Sequence, residues 1–236
     1  LQSTVFGGEG NFNFSSLLCG AEGTLAIYTD IKLQLVDLPP AHKALACVHF
    51  ESIEEALRAN INALEMAPSA VELIDKTILE CTKSNPTQLK NRFFIKGNPE
   101  AVLVVEFASH TPGEAFQKAS SLEKEFRSNG FGYHYPVLTG SDTARVWALR
   151  KAGLGLLANI RGDAKPVAVI EDAAVSAAQL PDFISEVKDM LNKLGLSCVF
   201  YAHIGTGELH LRPVLNLKNR ADVERLEKVA AEMALL

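Results

Sequence analysis

Leu196-Ser197-Cys198-Val199-Phe200-Tyr201-Ala202-His203-Ile204-Gly205-Thr206-Gly207-Glu208-Leu209-His210-Leu211-Arg212-Pro213-Val214 is the stretch on which the fold of this chain turns. Residues 196–203 and 209–214 are rich in apolar and aromatic side chains, and the glycines between them mark a turn, which predicts two strands closed as a hairpin. Such a short connection belongs to an antiparallel sheet, because parallel neighbours need a crossover of a dozen or more residues. With Thr206-Gly207 as a two-residue turn, Gly205 faces Glu208 and His203 faces His210. Directly opposed residues have Cβ atoms about 4.5–5.5 Å apart, close enough for two imidazoles to hold one ion. Glu208 and Arg212 fall on the same face. Two histidines that merely flank a turn would give the same spacing, and spacing alone goes no further.

Outward from the hairpin, strands and helices alternate. Residues 24–36 alternate well enough for a strand, and Pro39-Pro40 then punctuates. Residues 43–50 form a second β-like run. Ser52 is placed to cap a helix with Glu55 completing a capping box, and Ile53, Ala56, Leu57, Ile61 and Leu64 recur at helical spacing until Pro68. Residues 71–74 predict a short strand, followed by a helix to about Cys81. Residues 101–108 predict a strand, Pro112 opens a helix to about Ser128, Gly130 breaks it, and 131–138 is an aromatic strand. Asp142 is expected to cap a helix carrying Trp147, Leu149 and Leu154. Residues 167–170 predict a strand, 180–194 an amphipathic helix stopped by Gly195, and Arg220 opens the last helix. Two successive β-α-β units with adjacent strands predict an α+β, ferredoxin-like fold, an antiparallel sheet with helices packed mainly on one face.

Composition narrows the function classes. The 236 residues carry 23 Lys+Arg against 28 Asp+Glu, a net charge of −5, which provides no electrostatic footprint for nucleic acid. Hydrophobic residues at 47% are ordinary for a globular chain, and no run reaches the ~18 apolar residues of a membrane helix. Cys19, Cys47, Cys81 and Cys198 form no C-x-x-C pair and read as free thiols in a reducing cytosol. Leu1 is not a start methionine, Gly7-Gly8-Glu9-Gly10-Asn11 lacks the features of a signal peptide, and residues 229–236 read as a helix still in progress. The chain is therefore expected to be a piece of a longer protein.

Three further segments carry chemistry. Cys19-Gly20-Ala21-Glu22-Gly23-Thr24-Leu25 is a glycine-spaced loop whose backbone could approach a phosphate or a flat cofactor, though it is neither a P-loop nor G-x-G-x-x-G, and an ordinary tight turn explains it as well. Trp147-Ala148-Leu149-Arg150-Lys151 lies on a helix, where Arg150 offers a planar fork of donors to a carboxylate or belongs to a solvated basic face. Ile170-Glu171-Asp172 places paired acids at a strand end.

In order and spacing these segments resemble the C-terminal half of the FAD-linked 2-hydroxy-acid dehydrogenases, the group of glycolate oxidase subunits, D-lactate dehydrogenases and D-2-hydroxyglutarate dehydrogenase within the vanillyl-alcohol-oxidase-type flavoproteins. The run from Leu18 through Gly20, Ala21, Glu22, Gly23, Thr24 and Leu25 to Ile27 resembles the stretch that closes the FAD-binding domain and lines the flavin. Ala70-Val71-Glu72-Leu73-Ile74-Asp75 resembles a cap-domain strand, and the Trp147 to Lys151 segment the one whose Arg binds the substrate carboxylate. Ile170-Glu171-Asp172 with Ala174-Val175 resembles the next strand. The hairpin is similar to the family's H-x-G-D-G-N-L-H, whose histidines help hold a divalent metal, often zinc. Thr206 stands where that motif has Asp, and Glu208 where it has Asn. Arg212 takes the place of an Asn, and Ile170 of a Lys, found in the hydroxyglutarate enzymes, which argues against that substrate. The family's third metal ligand, a Glu, is expected beyond Leu236.

The resemblance implies residues 1–36 as the edge of an FAD-binding domain and 37–236 as the cap domain. It implies oxidation of a small 2-hydroxy acid of D-lactate or glycolate type, with Arg150 anchoring the carboxylate, His203 and His210 holding a divalent metal such as zinc, and hydride passing to FAD. Either histidine could instead act directly as general base. The partners implied are the hydroxy acid, the FAD-binding domain of the same protein and a downstream electron acceptor; the expected location is the cytoplasm, with peripheral attachment to a membrane left open, and the chain alone is expected to be inactive. The alternative from another class is a non-catalytic ligand-binding or docking module, in which Glu208 and Arg212 simply pair across the sheet.

Overall fold

The computed structural model describes residues 13–236, so the Gly/Asn-rich opening stretch lies outside the described residues. The chain divides into two compact units, Leu1–Leu38 and Pro39–Leu236. In the first, the Asn13 side chain accepts from Ser16 N at 3.1 Å and caps a short helix, α1 (Phe14–Leu18). Contrary to its alternation, the segment 24–36 is not a strand. A strand needs a neighbour for its N–H and C=O groups, and no described residue pairs with this one. Ile27, Leu33, Leu35 and Val36 are exposed instead.

The second unit opens with β1 (His42–Phe50), α2 (Ile53–Glu65) and β2 (Ala70–Asp75), then α3 (Lys76–Lys83), α4 (Pro86–Leu89) and a 3-10 turn. There follow β3 (Ala101–Ser109), α5 (Pro112–Asn129), β4 (Val137–Thr139), α6 (Ser141–Ala158), β5 (Lys165–Pro166), β6 (Ile170–Ala174), α7 (Leu180–Lys193), β7 (Cys198–His203), β8 (Glu208–Leu215) and α8 (Arg220–Met233). The described strands form one eight-stranded sheet in the order β4-β1-β3-β2-β7-β8-β5, with β6 also on β8, and every pairing is antiparallel. The first four strands with α2 and α5 make the β-α-β-β-α-β ferredoxin-like arrangement, which β7, β8, β6 and β5 extend. The α+β class and the antiparallel sheet are those the hairpin and the strand–helix alternation predict.

Local chemistry explains most boundaries. Ser52 Oγ accepts from Glu55 N at 3.2 Å, half of the expected capping box. The other half is not made, because Glu55 Oε1 takes Gly132 N at 2.6 Å and ties α2 to the loop after α5. That tight passage, in which Gly132 runs against Val48 and His49, confines the expected strand 131–138 to 137–139 plus a single bridge between His49 and His134. Asp142 is not the cap of α6: the helix starts one residue earlier behind Gly140, and Asp142 pairs with Arg145 at 3.0 Å. The expected strand 167–170 is replaced by β5 and β6 on either side of it.

Burial along the strands shows where the sheet is covered. Residues 44–50 of β1 are all buried, as is nearly all of β3, because helices lie over both faces there. Helices α2, α5, α7 and α8 cover one face with Phe50, Leu103, Phe107, Leu122, Leu209 and Leu211 in the core between them. Helices α3 and α6 cover the other, packing Ile78, Leu79, Val146 and Leu149 on Leu45, Cys47, Val102 and Val104. In β8 burial alternates strictly, with Leu209, Leu211, Pro213 and Leu215 inward and Glu208, His210 and Arg212 on the less covered side. The second face is therefore open where the hairpin lies.

Candidate functional site

The hairpin register differs from the expected one. His203 pairs with Glu208 and Tyr201 with His210, so residues 204–207 form a four-residue loop and the two histidines are diagonal neighbours. The loop is held from three sides. Gly205 N donates to Val71 O at 3.1 Å, Asn60 Nδ2 donates to Ile204 O at 3.0 Å, and Val175 N donates to Gly207 O at 3.2 Å. Gly207 has φ +80°, and a Cβ there would lie 1.8 Å from Val175 O, so only glycine fits. These neighbours set the turn, which a two-residue count cannot foresee. The period of two still keeps His203, Glu208, His210 and Arg212 on one face.

On that face a chain of ionic contacts runs from β2 to β6. Glu72 projects from β2, one position along the register that pairs Ile74 with Tyr201 and Leu73 with Ala202. Its Oε1 lies 2.6 Å from His203 Nδ1, and its Oε2 accepts from Arg150 Nε at 3.1 Å. Arg150 Nη2 is 2.8 Å from the same oxygen but is not aligned for a hydrogen bond, leaving a buried donor without one. Arg150 comes from α6, three residues after Trp147, whose Nε1 donates to the buried Glu106 on β3 at 3.0 Å. The Tyr201 ring lies 4.8 Å from that of His210 and within 6 Å of both the Arg150 and Arg212 guanidinium groups. Arg212 donates to Tyr201 Oη at 3.1 Å and to Glu171 at 2.8 Å. It does not pair with Glu208, as the docking-module alternative supposed.

The histidine rings stand edge to face, 5.1 Å apart. His210 Nδ1 is buried, with Glu171 at 3.1 Å and Asp172 at 3.4 Å but no aligned hydrogen bond, and its Nε2 is 4.0 Å from Glu208. Asp172 sits at φ +57° in an irregularity of β6 that turns both acids towards His210. Four carboxylates (Glu72, Glu171, Asp172 and Glu208) thus meet two guanidinium groups, a formal count of −2 apart from the histidines. A cleft of about 380 Å³ opens beside it, lined by Leu64, Val71, Glu72, His203, Gly205 and Glu208.

The structure brings Arg150, His203 and His210 together, and Arg150 is already engaged by Glu72. Ile170, where the resemblance has a Lys, is buried in the core next to Glu171 of the polar face. Glu72 and Tyr201 are partners that the motifs did not indicate; the available signal was an acid inside the apolar strand Ala70-Val71-Glu72-Leu73-Ile74. The expected flavin-lining residues Gly20, Ala21, Glu22, Gly23, Thr24, Leu25 and Ile27 lie in the first unit. There Thr24 N donates to Ala21 O at 2.8 Å, Gly20, Glu22 and Gly23 take positive φ, and Leu25 and Ile27 are exposed.

The family described as FAD linked oxidases, C-terminal domain, matches residues 39–236. This chain belongs to that family. It is 28% identical over 235 residues to a D-2-hydroxyglutarate dehydrogenase of Pseudomonas putida, covering 97% of this chain and 23% of that protein. It is 28% identical to the glycolate oxidase subunit GlcD of Bacillus subtilis, covering 94% and 45%, and 25% identical to a D-lactate dehydrogenase of Archaeoglobus fulgidus, covering 86% and 42%. The chain thus spans a quarter to a half of the length of these relatives. In fold it is similar to an alkyldihydroxyacetonephosphate synthase, with a TM-score of 0.57 at 16% identity over 95% of this chain and 44% of the other. It is also similar to p-cresol methylhydroxylase, at 0.53 and 14% over 83% and 43%. Among the described residues no helix is long and apolar enough to cross a membrane.

Proposed function

We propose that this chain is the substrate-facing part of an FAD-dependent dehydrogenase of a small 2-hydroxy acid, of D-lactate or glycolate type, with a divalent cation such as zinc on His203 and His210. The observation that carries the reading is the hairpin face, where two imidazoles stand among groups totalling −2. A divalent cation balances that charge, and without one an anionic substrate would be repelled. The donors fit the ion. Glu72 lies 2.6 Å from His203 Nδ1, the carboxylate–histidine arrangement that sets the tautomer and leaves Nε2 for a metal, and Glu171 stands 3.1 Å from His210 Nδ1 without an aligned hydrogen bond. The loop around Gly20 and Gly23 fits a flat cofactor, with open backbone and exposed Leu25 and Ile27.

When bound, the flavin supplies a hydride acceptor for C2 of the hydroxy acid and the cation supplies Lewis acidity at its oxygen. Arg150 anchors the substrate carboxylate through the part of its guanidinium not engaged by Glu72. Glu72 in turn fixes both Arg150 and His203. In a metal-free variant of the reading, His203 Nε2 takes the hydroxyl proton and Glu72, 2.6 Å from Nδ1, stabilises the imidazolium. A downstream acceptor reoxidises the flavin, which itself rests mainly on an FAD-binding domain of the same protein.

The test is flavin reduction by D-lactate and glycolate in the intact protein, together with its metal content. His203→Ala/His210→Ala should lower the reduction rate at least about a hundredfold, on the scale of losing a general base or a metal. Full activity in that variant would sink the assignment.

A further inference from the structure

We propose that Glu208 is a third ligand to the cation, so that the short segment from His203 to His210 supplies a three-donor site within this chain. The inference rests on the metal reading above and adds a residue and a consequence to it. One ligand atom each from His203, Glu208 and His210 can be chosen so that all lie within 4.8 Å of one another. Two ligands of a tetrahedral zinc, each at 2.0–2.1 Å, are roughly 3.4 Å apart, so closure requires only about an ångström of side-chain movement.

Glu208 is free to make it. It is opposite His203 in the register, with only the open hairpin loop between them. Its side chain is 39% exposed, it takes no hydrogen bond from a described residue, and its contact with a basic side chain is His210 Nε2 at 4.0 Å. That distance is too long for a hydrogen bond and short enough for both atoms to reach one ion. The rival set of Glu171, Asp172 and His210 is less apt. Glu171 is held by Arg212 at 2.8 Å, Asp172 is 70% exposed, and the set contains a single imidazole.

Two imidazoles and one carboxylate select a borderline first-row ion such as Zn²⁺ or Co²⁺ over Mg²⁺ or Ca²⁺, which prefer oxygen shells. Three protein donors also leave a fourth position open, the arrangement of a catalytic zinc site. The consequence is that this 236-residue chain should hold the ion without donors from elsewhere.

The experiment is calorimetric titration of this chain with Zn²⁺, and Co²⁺ titration followed by visible absorption, for the wild type, Glu208→Gln and His210→Ala. One ion per chain is expected, with affinity at least about tenfold weaker in Glu208→Gln and a changed Co²⁺ spectrum. Far-UV circular dichroism of Glu208→Gln should match the wild type, since Gln keeps the size of Glu and the Glu208 side chain takes no hydrogen bond from a described residue. Wild-type affinity and spectrum in Glu208→Gln, with binding lost in His210→Ala, would overturn the role of Glu208 and leave the two-histidine site standing. No binding by the wild-type chain would overturn the self-sufficient site. Absence of the ion from the intact protein as well would overturn the metal reading beneath it.

Discussion

Glu72 decides the chemistry of the polar face more than any residue the motifs single out. Its side chain is 11% exposed and bridges Arg150, 12% exposed, to His203. Removing one partner of such a buried pair leaves the other charged and unsolvated. Glu72→Ala is expected to destabilise the protein by about 3 kcal/mol, measured by chemical denaturation, and Glu72→Gln by less, because an amide oxygen still accepts from Arg150. A Glu72→Ala variant within about 0.5 kcal/mol of wild type would show that the bridge is not coupled. Gly207 is the second such position. Gly207→Ala meets Val175 O at 1.8 Å and a positive φ, and should cost at least about 2 kcal/mol while displacing both histidines. A reduced melting temperature and lost Zn²⁺ binding would appear together. Both histidines were legible from the sequence, since their period of two survives a change of register. Glu72 was not, because its partners lie 78 and 131 residues away.

Between elements, two buried titratable groups on the sheet have opposite pH signatures. His49 on β1 donates through Nδ1 to Cys47 O at 3.1 Å and accepts through Nε2 from Lys96 N at 3.3 Å. A second ring proton would face that N–H. Burial, followed by nearby His134, lowers its pKa from 6.5 to about 4. A depressed histidine pKa means that neutral His49 favours the fold above pH 6.5, and the contribution is lost as pH falls through 4. The loss reaches about 3 kcal/mol at one pKa unit per 1.36 kcal/mol. Denaturation curves of wild type and His49→Gln between pH 7 and 4 should converge as the pH drops; a constant gap would refute this. Asp75 works the other way. It caps α3 through Ile78 N at 3.0 Å and accepts Phe200 N from β7 at 2.9 Å, and burial raises its pKa from 3.8 to about 6. Its contribution is fully present below pH 3.8 and declines as pH rises through 6. Carbon-13 NMR of the Asp75 carboxyl should show a midpoint near pH 6. The capping of α2 by Ser52 and the stop of α5 at Gly130 were readable because they depend on residues three or four apart. The strand 131–138 was not, because its backbone is diverted by contacts with β1 and α2.

For the whole molecule, the core that holds the sheet belongs to the unit Pro39–Leu236, while Leu25, Ile27, Ile31, Leu33, Leu35, Val36 and Leu38 of the other unit are exposed. Such a run of apolar side chains requires a cover, and the FAD-binding domain is the one we propose. Two outcomes follow. The 236-residue chain should retain FAD weakly or not at all on purification, and stoichiometric flavin would refute that. A chain beginning at Pro39 should unfold cooperatively within a few degrees of the melting temperature of the longer one. The sequence by itself determined the antiparallel α+β class, most of the helices, the Ser52 cap and the shared face of the two histidines. These depend on periodicity and near neighbours, which any stretch of chain carries within itself. Tertiary structure alone decided the hairpin register, the engagement of Arg150 by Glu72, the partner of Arg212 and the fate of residues 24–36. Each of those depends on which distant backbone or charge arrives to satisfy a hydrogen bond or an ion, and no local pattern records that arrival.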